Sequence, residues 1–127
     1  MTKGFSSLQV SGYRRLHDLD LPLRPLNVLI GANGVGKTSI LEVMSFLAAS
    51  ADGRLQDMVS EGGGIVSLVT HDRKEPLCMK LTMPMDKAAP IDYELCLRTS
   101  GIGYEISTER LTQQHGANTE QPFIHIN

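Results

Sequence analysis

Neither a long apolar run nor an excess of charge of one sign is present in this sequence. No apolar stretch approaches the length needed to cross a bilayer, so we expect no membrane partner. Residues 1–12 lack the basic-then-apolar pattern of a signal peptide, and we therefore expect a cytoplasmic protein. The net charge of −2 comes from 12 basic and 14 acidic residues. Because the basic residues are scattered, the composition does not favour direct nucleic-acid binding by these residues alone.

Cysteine is scarce, and the two cysteines, Cys78 and Cys96, form no C-x-x-C motif. They could be joined only if the fold placed them side by side, which the sequence does not show. In a cytoplasmic protein we expect reduced thiols. The four histidines show no metal-ligand spacing, so we expect no metal site from them.

The apolar residues alternate with polar ones in several short stretches that are typical of strands. Leu8 and Val10 alternate with polar neighbours, as do Leu19 and Leu21, which predicts two antiparallel strands joined by residues 12–17. Residues 26–30 form a nearly unbroken apolar run between Pro25 and Gly31, which predicts a strand buried on both faces. Residues 77–83 and 91–98 show the same period-two alternation. Residues 101–103 are typical of a hairpin turn that leads into residues 104–111, and residues 123–127 are expected to begin one more strand.

One long segment instead has helical periodicity. Apolar residues recur at helical spacing through residues 38–51, and Asp52 and Gly53 are typical helix-stop residues. A shorter helix is expected over residues 54–60, ended by three consecutive glycines. We therefore predict an α+β fold over residues 1–127, with one principal helix packed on a mixed, largely antiparallel sheet.

Residues 31–38 match the phosphate-binding pattern G-x-x-x-x-G-K-[ST] in full. In this pattern the glycines let backbone N–H groups surround a phosphate, and the next helix directs its positive end at the same anion. Lys37 is predicted to reach the β- and γ-phosphate oxygens, and the Thr38 hydroxyl is predicted to bind Mg²⁺. The expected ligand is a nucleoside triphosphate, with ATP as the first choice, and Lys37 is also the candidate catalytic residue. The predicted nucleotide contacts in the motif are Asn33, Gly34, Val35, Gly36, Lys37, Thr38 and the adjacent Ser39.

Residues 28–42, in which Gly34 follows Asn33 and small and aliphatic residues open the helix, resemble the Walker A segment of ABC-type ATPases. The likeness is to the SMC/RecF/OLD-like branch of these P-loop NTPases. The order Gly12, Tyr13, Arg14 is similar to its N-terminal strand pair. Residues 104–111 are similar to a strand of OLD-like ATPases of the AAA type.

The resemblance implies the N-terminal lobe of an ATPase head that hydrolyses ATP. In such heads two copies enclose ATP, so a homodimer or a separate C-terminal half is an expected partner, and DNA or a nuclease is a further one. The resemblance also places Arg14 as a basic contact to the nucleotide phosphates. Residues 1–127 contain no apolar run that ends in Asp-Glu, and we assign no signature loop in them. The lobe is therefore expected to be incomplete and to bind ATP without significant turnover.

The sequence is also compatible with two alternative functions. The first is a P-loop kinase or GTPase, although the sequence lacks the N-K-x-D motif for guanine and has antiparallel strand patterns after the helix. The second is a non-catalytic interaction module that uses a bound nucleotide as a structural clamp.

Overall fold

The computed structural model describes residues 4–14, 16–28, 30–31, 37–69, 76–101, 103–113 and 123–126. Within them the chain forms a six-stranded sheet in the order β2-β1-β3-β4-β5-β6. All of its strand pairs are antiparallel. The strands are β1 (Ser7–Tyr13), β2 (Leu16–Pro22), β3 (Leu77–Met85), β4 (Ala88–Ser100), β5 (Gly103–Gln113) and β6 (Phe123–Ile126).

Between β2 and β3 the described residues form three helices: α1 (Lys37–Ala51), α2 (Leu55–Glu61) and α3 (Ile65–Leu68). Helix α1 ends where the sequence predicts, because the amide of Asp52 still bonds to the Ala48 carbonyl while Gly53 adopts a left-handed φ of 73°. The short α3 was not expected from the sequence. The described helices include none that is long and apolar enough to span a membrane.

One hydrophobic core joins the helices to one face of the sheet. Alternate residues of β1, β3 and β4 face this core, as the period-two patterns predict. Helix α1 adds the buried face that its helical periodicity predicts. The core members include Leu8, Val10, Val43, Phe46, Leu47, Leu55, Val59, Leu68, Leu77, Met79, Leu81, Leu95 and Leu97.

The prediction of a doubly buried strand over residues 26–30 is wrong for the residues that the structure describes. Leu26, Val28 and Ile30 lie outside any strand and are 82%, 72% and 90% exposed. A local turn accounts for this, because the Arg24 amide donates to Asn27 Oδ1 at 3.1 Å and Asn27 Nδ2 donates to the Arg24 carbonyl at 2.7 Å. These side-chain bonds replace strand pairing.

The expected mixed sheet is likewise not found, since the described strand pairs are all antiparallel.

The expectation of reduced thiols is also wrong. Cys78 of β3 and Cys96 of β4 are direct partners in the ladder, with their Cα atoms 4.1 Å apart, and they form a disulfide. Cys78 alternates with the core residues Leu77 and Met79, so the disulfide ties the two strands on the sheet face that points away from α1. The pairing depends on the register of β3 against β4, which the separate strand patterns do not specify.

Candidate functional site

The phosphate-binding motif stands immediately before helix α1. Gly31 is described and exposed, and α1 begins at Lys37, the seventh residue of the motif. Four predicted contacts lie outside the described residues: Asn33, Gly34, Val35 and Gly36. The structure therefore describes the first residue of the motif and, from Lys37 onward, a helix that continues from it in the sequence, as the pattern predicts.

The first turn of α1 has the properties of an anion-binding helix end. Backbone N–H groups in the first turn of a helix have no partner within the helix, and the helix dipole adds partial positive charge there. No acidic residue occurs in this turn, which contains Lys37, Thr38 and Ser39. Thr38 is exposed and Ser39 is half-buried. These residues fit a nucleotide phosphate and its Mg²⁺, because the positive helix end is not neutralised and the Thr38 hydroxyl is accessible.

The helix is held against the sheet by its opposite face. Val43, Phe46 and Leu47 are all at most 5% exposed. The Phe46 ring packs edge-to-face on the Tyr13 ring of β1, with 6.0 Å between the ring centres. These contacts fix the axis of α1, and with it the direction in which the first turn points.

Arg14 follows Tyr13 at the turn between β1 and β2, and its backbone conformation is unusual. Its φ of 43° lies in the left-handed region, which a residue other than glycine seldom adopts. The Arg14 amide donates to the Leu68 carbonyl of α3 at 2.8 Å. The preceding Gly12, with a φ of 76°, is required here because a Cβ would lie 2.9 Å from the Pro76 carbonyl oxygen. The turn is therefore tightly specified by its surroundings.

The Arg14 side chain is directed at α1. Its Nη1 lies 3.4 Å from Glu42 Oε2, and both side chains are about one third exposed, at 37% and 32%. The guanidinium carbon also lies 5.7 Å from the centre of the Tyr13 ring, which is within range of a cation–π contact. The structure thus places Arg14, a predicted phosphate contact, beside the helix that carries Thr38, the predicted Mg²⁺ ligand.

Glu42 belongs to the same cluster and was not singled out from the sequence. The Tyr13 hydroxyl donates a short hydrogen bond to the same Glu42 Oε2 that receives Arg14. Burial of Tyr13 and the bond to the Glu42 carboxylate raise the pKa of the Tyr13 hydroxyl, so this phenol stays a donor. A signal was present in the sequence, because Glu42 is the only acidic residue of α1 and follows Thr38 by four positions.

No other described cluster offers an alternative centre for metal chemistry. Groups of three or more histidine, cysteine, aspartate or glutamate side chains able to hold a metal ion are absent from the described part of the chain.

A protein-family model described as an AAA ATPase domain matches residues 5–126, almost the whole sequence. The chain belongs to the AAA ATPase domain family. Membership explains why a complete phosphate-binding motif precedes α1, and it confirms the expected P-loop ATPase relationship.

Individual relatives of this AAA ATPase domain lie in the RecF and OLD branch. The chain is 50% identical over 40 residues to the OLD nuclease of Thermus scotoductus, which is 32% of this chain and 8% of that protein. It is 35% identical over 86 residues to the DNA replication and repair protein RecF of Lactobacillus delbrueckii subsp. bulgaricus, 65% of this chain and 23% of the relative. The RecF of Symbiobacterium thermophilum is 43% identical over 61 residues, 45% of this chain and 16% of the relative. The matches thus span less than a quarter of each relative.

Proposed function

We propose that this AAA ATPase domain binds ATP with Mg²⁺ through residues 31–38 and the first turn of α1. The observation that carries the proposal is that α1, described from Lys37 onward, follows the glycine-rich motif in the sequence and has no acidic residue in its first turn. A helix end of this kind stabilises a phosphate through its N–H groups and its dipole.

Each residue has a distinct task in this proposal. The backbone amides of Asn33, Gly34, Val35 and Gly36 surround the phosphates, and the Lys37 ammonium binds the β- and γ-oxygens. Thr38 holds Mg²⁺, which neutralises phosphate charge when bound, and Ser39 binds a phosphate oxygen nearby. Arg14 supplies a second cation from the β1–β2 turn. Its position beside Glu42 on α1 supports that role.

We further propose that the chain acts as the N-terminal lobe of a cytoplasmic ATPase head that dimerises on ATP and hydrolyses it. Membership of the AAA ATPase domain family supports the ATPase part. The relatives are named as an OLD nuclease and as DNA replication and repair proteins, which supports DNA or a nuclease as the partner of the complete protein. Residues 1–127 by themselves are proposed to bind ATP with negligible turnover, because they contain no apolar run ending in Asp-Glu.

The kinase and GTPase alternatives are less well supported by the fold. Such proteins continue as alternating strand and helix units with parallel strands. Here the strands β3 to β6 follow the helices one after another and pair only in antiparallel fashion.

Calorimetric titration with ATP and Mg²⁺ tests the proposal. Lys37→Ala should weaken binding by at least about tenfold, which is a loss of about 1.4 kcal/mol. Thr38→Ala should abolish the gain in affinity that Mg²⁺ gives. Lys80→Ala is the matched control, since it removes the same charge from the other sheet face, where Lys80 pairs with Asp92 at 3.7 Å.

Two results would count against this function. If the wild-type protein and Lys37→Ala had equal affinity for ATP, the motif would not be the binding site. Preference for GTP over ATP in direct competition would favour the GTPase alternative.

A further inference from the structure

We propose that Glu42 is a positioning residue for nucleotide binding, because its carboxylate holds the Arg14 guanidinium on the face of α1 that leads to the phosphates. The inference rests on the proposed binding of ATP at the start of α1, and it adds a residue that neither the motif nor the family match assigns. Three features of the structure carry it: the place of Glu42 on the helix, the fixed turn at Arg14, and the shared carboxylate oxygen.

Glu42 and the proposed Mg²⁺ ligand lie on the same side of α1. Residues four apart in a helix stand one above the other, so Thr38 and Glu42 share a face. Side chains of a helix also lean toward its N-terminus, which directs the Glu42 carboxylate toward the first turn. A guanidinium bound to that carboxylate therefore lies over the face that carries Thr38.

The backbone of Arg14 adopts an energetically unfavourable conformation beside α1. A left-handed conformation is unfavourable for a residue with a side chain and persists only where the surroundings enforce it. At Arg14 the enforcing contacts are the amide bond to the Leu68 carbonyl and the close approach of Gly12 to Pro76. A residue other than glycine that is held in this conformation, with its side chain directed at α1, is a candidate for a functional position.

The shared oxygen explains why the carboxylate is needed. Glu42 Oε2 accepts from the Tyr13 hydroxyl and also pairs with Arg14 Nη1. Tyr13 is fully buried and anchored by Phe46, so its hydroxyl fixes the carboxylate, which in turn fixes the guanidinium. A carboxylate near a phosphate site would repel the nucleotide unless it were neutralised, and the pairing with Arg14 provides that neutralisation. A guanidinium has five N–H donors and is able to bind a carboxylate and a phosphate together.

A double-mutant cycle measured by calorimetry with ATP and Mg²⁺ tests this role. Glu42→Gln keeps the shape and an acceptor for Tyr13 but removes the charge that holds Arg14. Glu42→Gln and Arg14→Ala should each weaken ATP binding about tenfold, as expected for loss of one charge-assisted contact. The double variant should bind no more weakly than Arg14→Ala alone, because Glu42 acts through Arg14. Asp57→Asn, an equal charge change at an exposed site of α2, should leave the affinity unchanged.

The outcomes separate this inference from the proposed function. If ATP binding depends on Lys37 but Glu42→Gln has wild-type affinity, nucleotide binding stands and the role of Glu42 is overturned. The role is also overturned if Glu42→Gln costs the same factor with and without Arg14, since that would be a purely structural effect. If the wild-type protein does not bind ATP, the proposed function fails and this inference fails with it.

A measurement on the unsubstituted protein keeps the test decisive if Glu42→Gln does not fold. The Arg14 Nε–Hε resonance of ¹⁵N-labelled protein, assigned by its absence in Arg14→Lys, should shift on addition of ATP with Mg²⁺ and not with Mg²⁺ alone. A resonance that stays in place at saturating ATP would overturn the proposal.

Discussion

The Tyr13 hydroxyl donates a hydrogen bond to the Glu42 carboxylate and joins strand β1 to helix α1 across 29 positions of sequence. The tyrosine is fully buried, whereas the carboxylate is partly exposed and also receives Arg14. A polar link of this kind fixes the rotation of the helix about its own axis, which apolar packing alone leaves less well defined. It thereby sets which face of α1 is presented beside the phosphate-binding motif.

Tyr13→Phe removes this link and leaves the ring packing in place. We expect the free energy of unfolding in urea to fall by about 1.5 kcal/mol, as for other hydrogen bonds to charged groups. Tyr104→Phe is the matched control, because the Tyr104 hydroxyl has no hydrogen-bond partner among the described residues. The control should change stability by less than about 0.5 kcal/mol. Equal losses in the two variants would show that the Tyr13–Glu42 bond has no net effect on stability.

Stability should decline in alkaline solution. Burial raises the pKa of Tyr13, Tyr93 and Tyr104, and the Glu42 carboxylate adds to the effect at Tyr13. A phenol whose pKa is raised by folding binds more protons in the native state than in the unfolded state above its ordinary pKa of about 10. Ionisation of these tyrosines should therefore not change the free energy of unfolding below about pH 10 and should lower it as the pH rises further. Urea unfolding across this range measures the slope, which Tyr13→Phe should make shallower; a slope unchanged by that substitution would contradict the assignment to Tyr13.

Helix α1 should be sensitive to substitution on one face only. Phe46 is 2% exposed and packs on Tyr13, so Phe46→Ala should lower the free energy of unfolding by about 3–5 kcal/mol. Leu41 lies on the same helix but is 62% exposed, and Leu41→Ala should cost less than about 1 kcal/mol. Thermal or urea unfolding of the two variants gives the comparison, and similar losses would mean that α1 is covered on both faces.

The disulfide gives a prediction about reducing agents. Cys78 and Cys96 are 18 positions apart, and closing a loop of this size stabilises a protein by about 3 kcal/mol in the chain-entropy model. A reducing agent should lower the unfolding free energy by about that amount. The Cys78→Ser/Cys96→Ser double variant should not respond to it. Reaction of two thiols with an alkylating reagent in unreduced, unfolded protein would show that the disulfide does not form in solution.

The sequence predicted those parts of the fold that depend on local periodicity. The alternation at Leu77, Met79 and Leu81 and the helical spacing through Val43 and Leu47 each identify a buried face, and the structure confirms both. These patterns are informative because a strand or helix with one covered face must repeat apolar residues at its own period. The antiparallel order of β3, β4 and β5 follows from the short connections between them.

The errors arose where the outcome depends on distant partners. An apolar run such as residues 26–30 is compatible with a buried strand, but the run does not specify which strands pair with it. The local bonds between Arg24 and Asn27 decide the backbone there instead. The disulfide and the Tyr13–Glu42 bond likewise require positions 18 and 29 residues apart to meet, which depends on strand register and helix placement. Of the candidate site, the sequence pointed to the motif and to Arg14, whose nucleotide contacts stay predictions, and it did not point to Glu42.

Residues 26–28 and 30 precede the phosphate-binding motif and pair with no strand in the described part of the chain, whereas α1 follows the motif and has a firmly packed face. Because α1 is packed on the sheet, a change in the direction of its axis displaces its N-terminal end, where the motif is. Phe46 and Lys37 are separated by about 14 Å along the axis, at 1.5 Å per residue, so a tilt of about 5° at Phe46 moves the lysine by about 1 Å. A displacement of that size would be enough to weaken a phosphate contact, so under the proposed binding of ATP we expect the packing of α1 on β1 to affect nucleotide affinity.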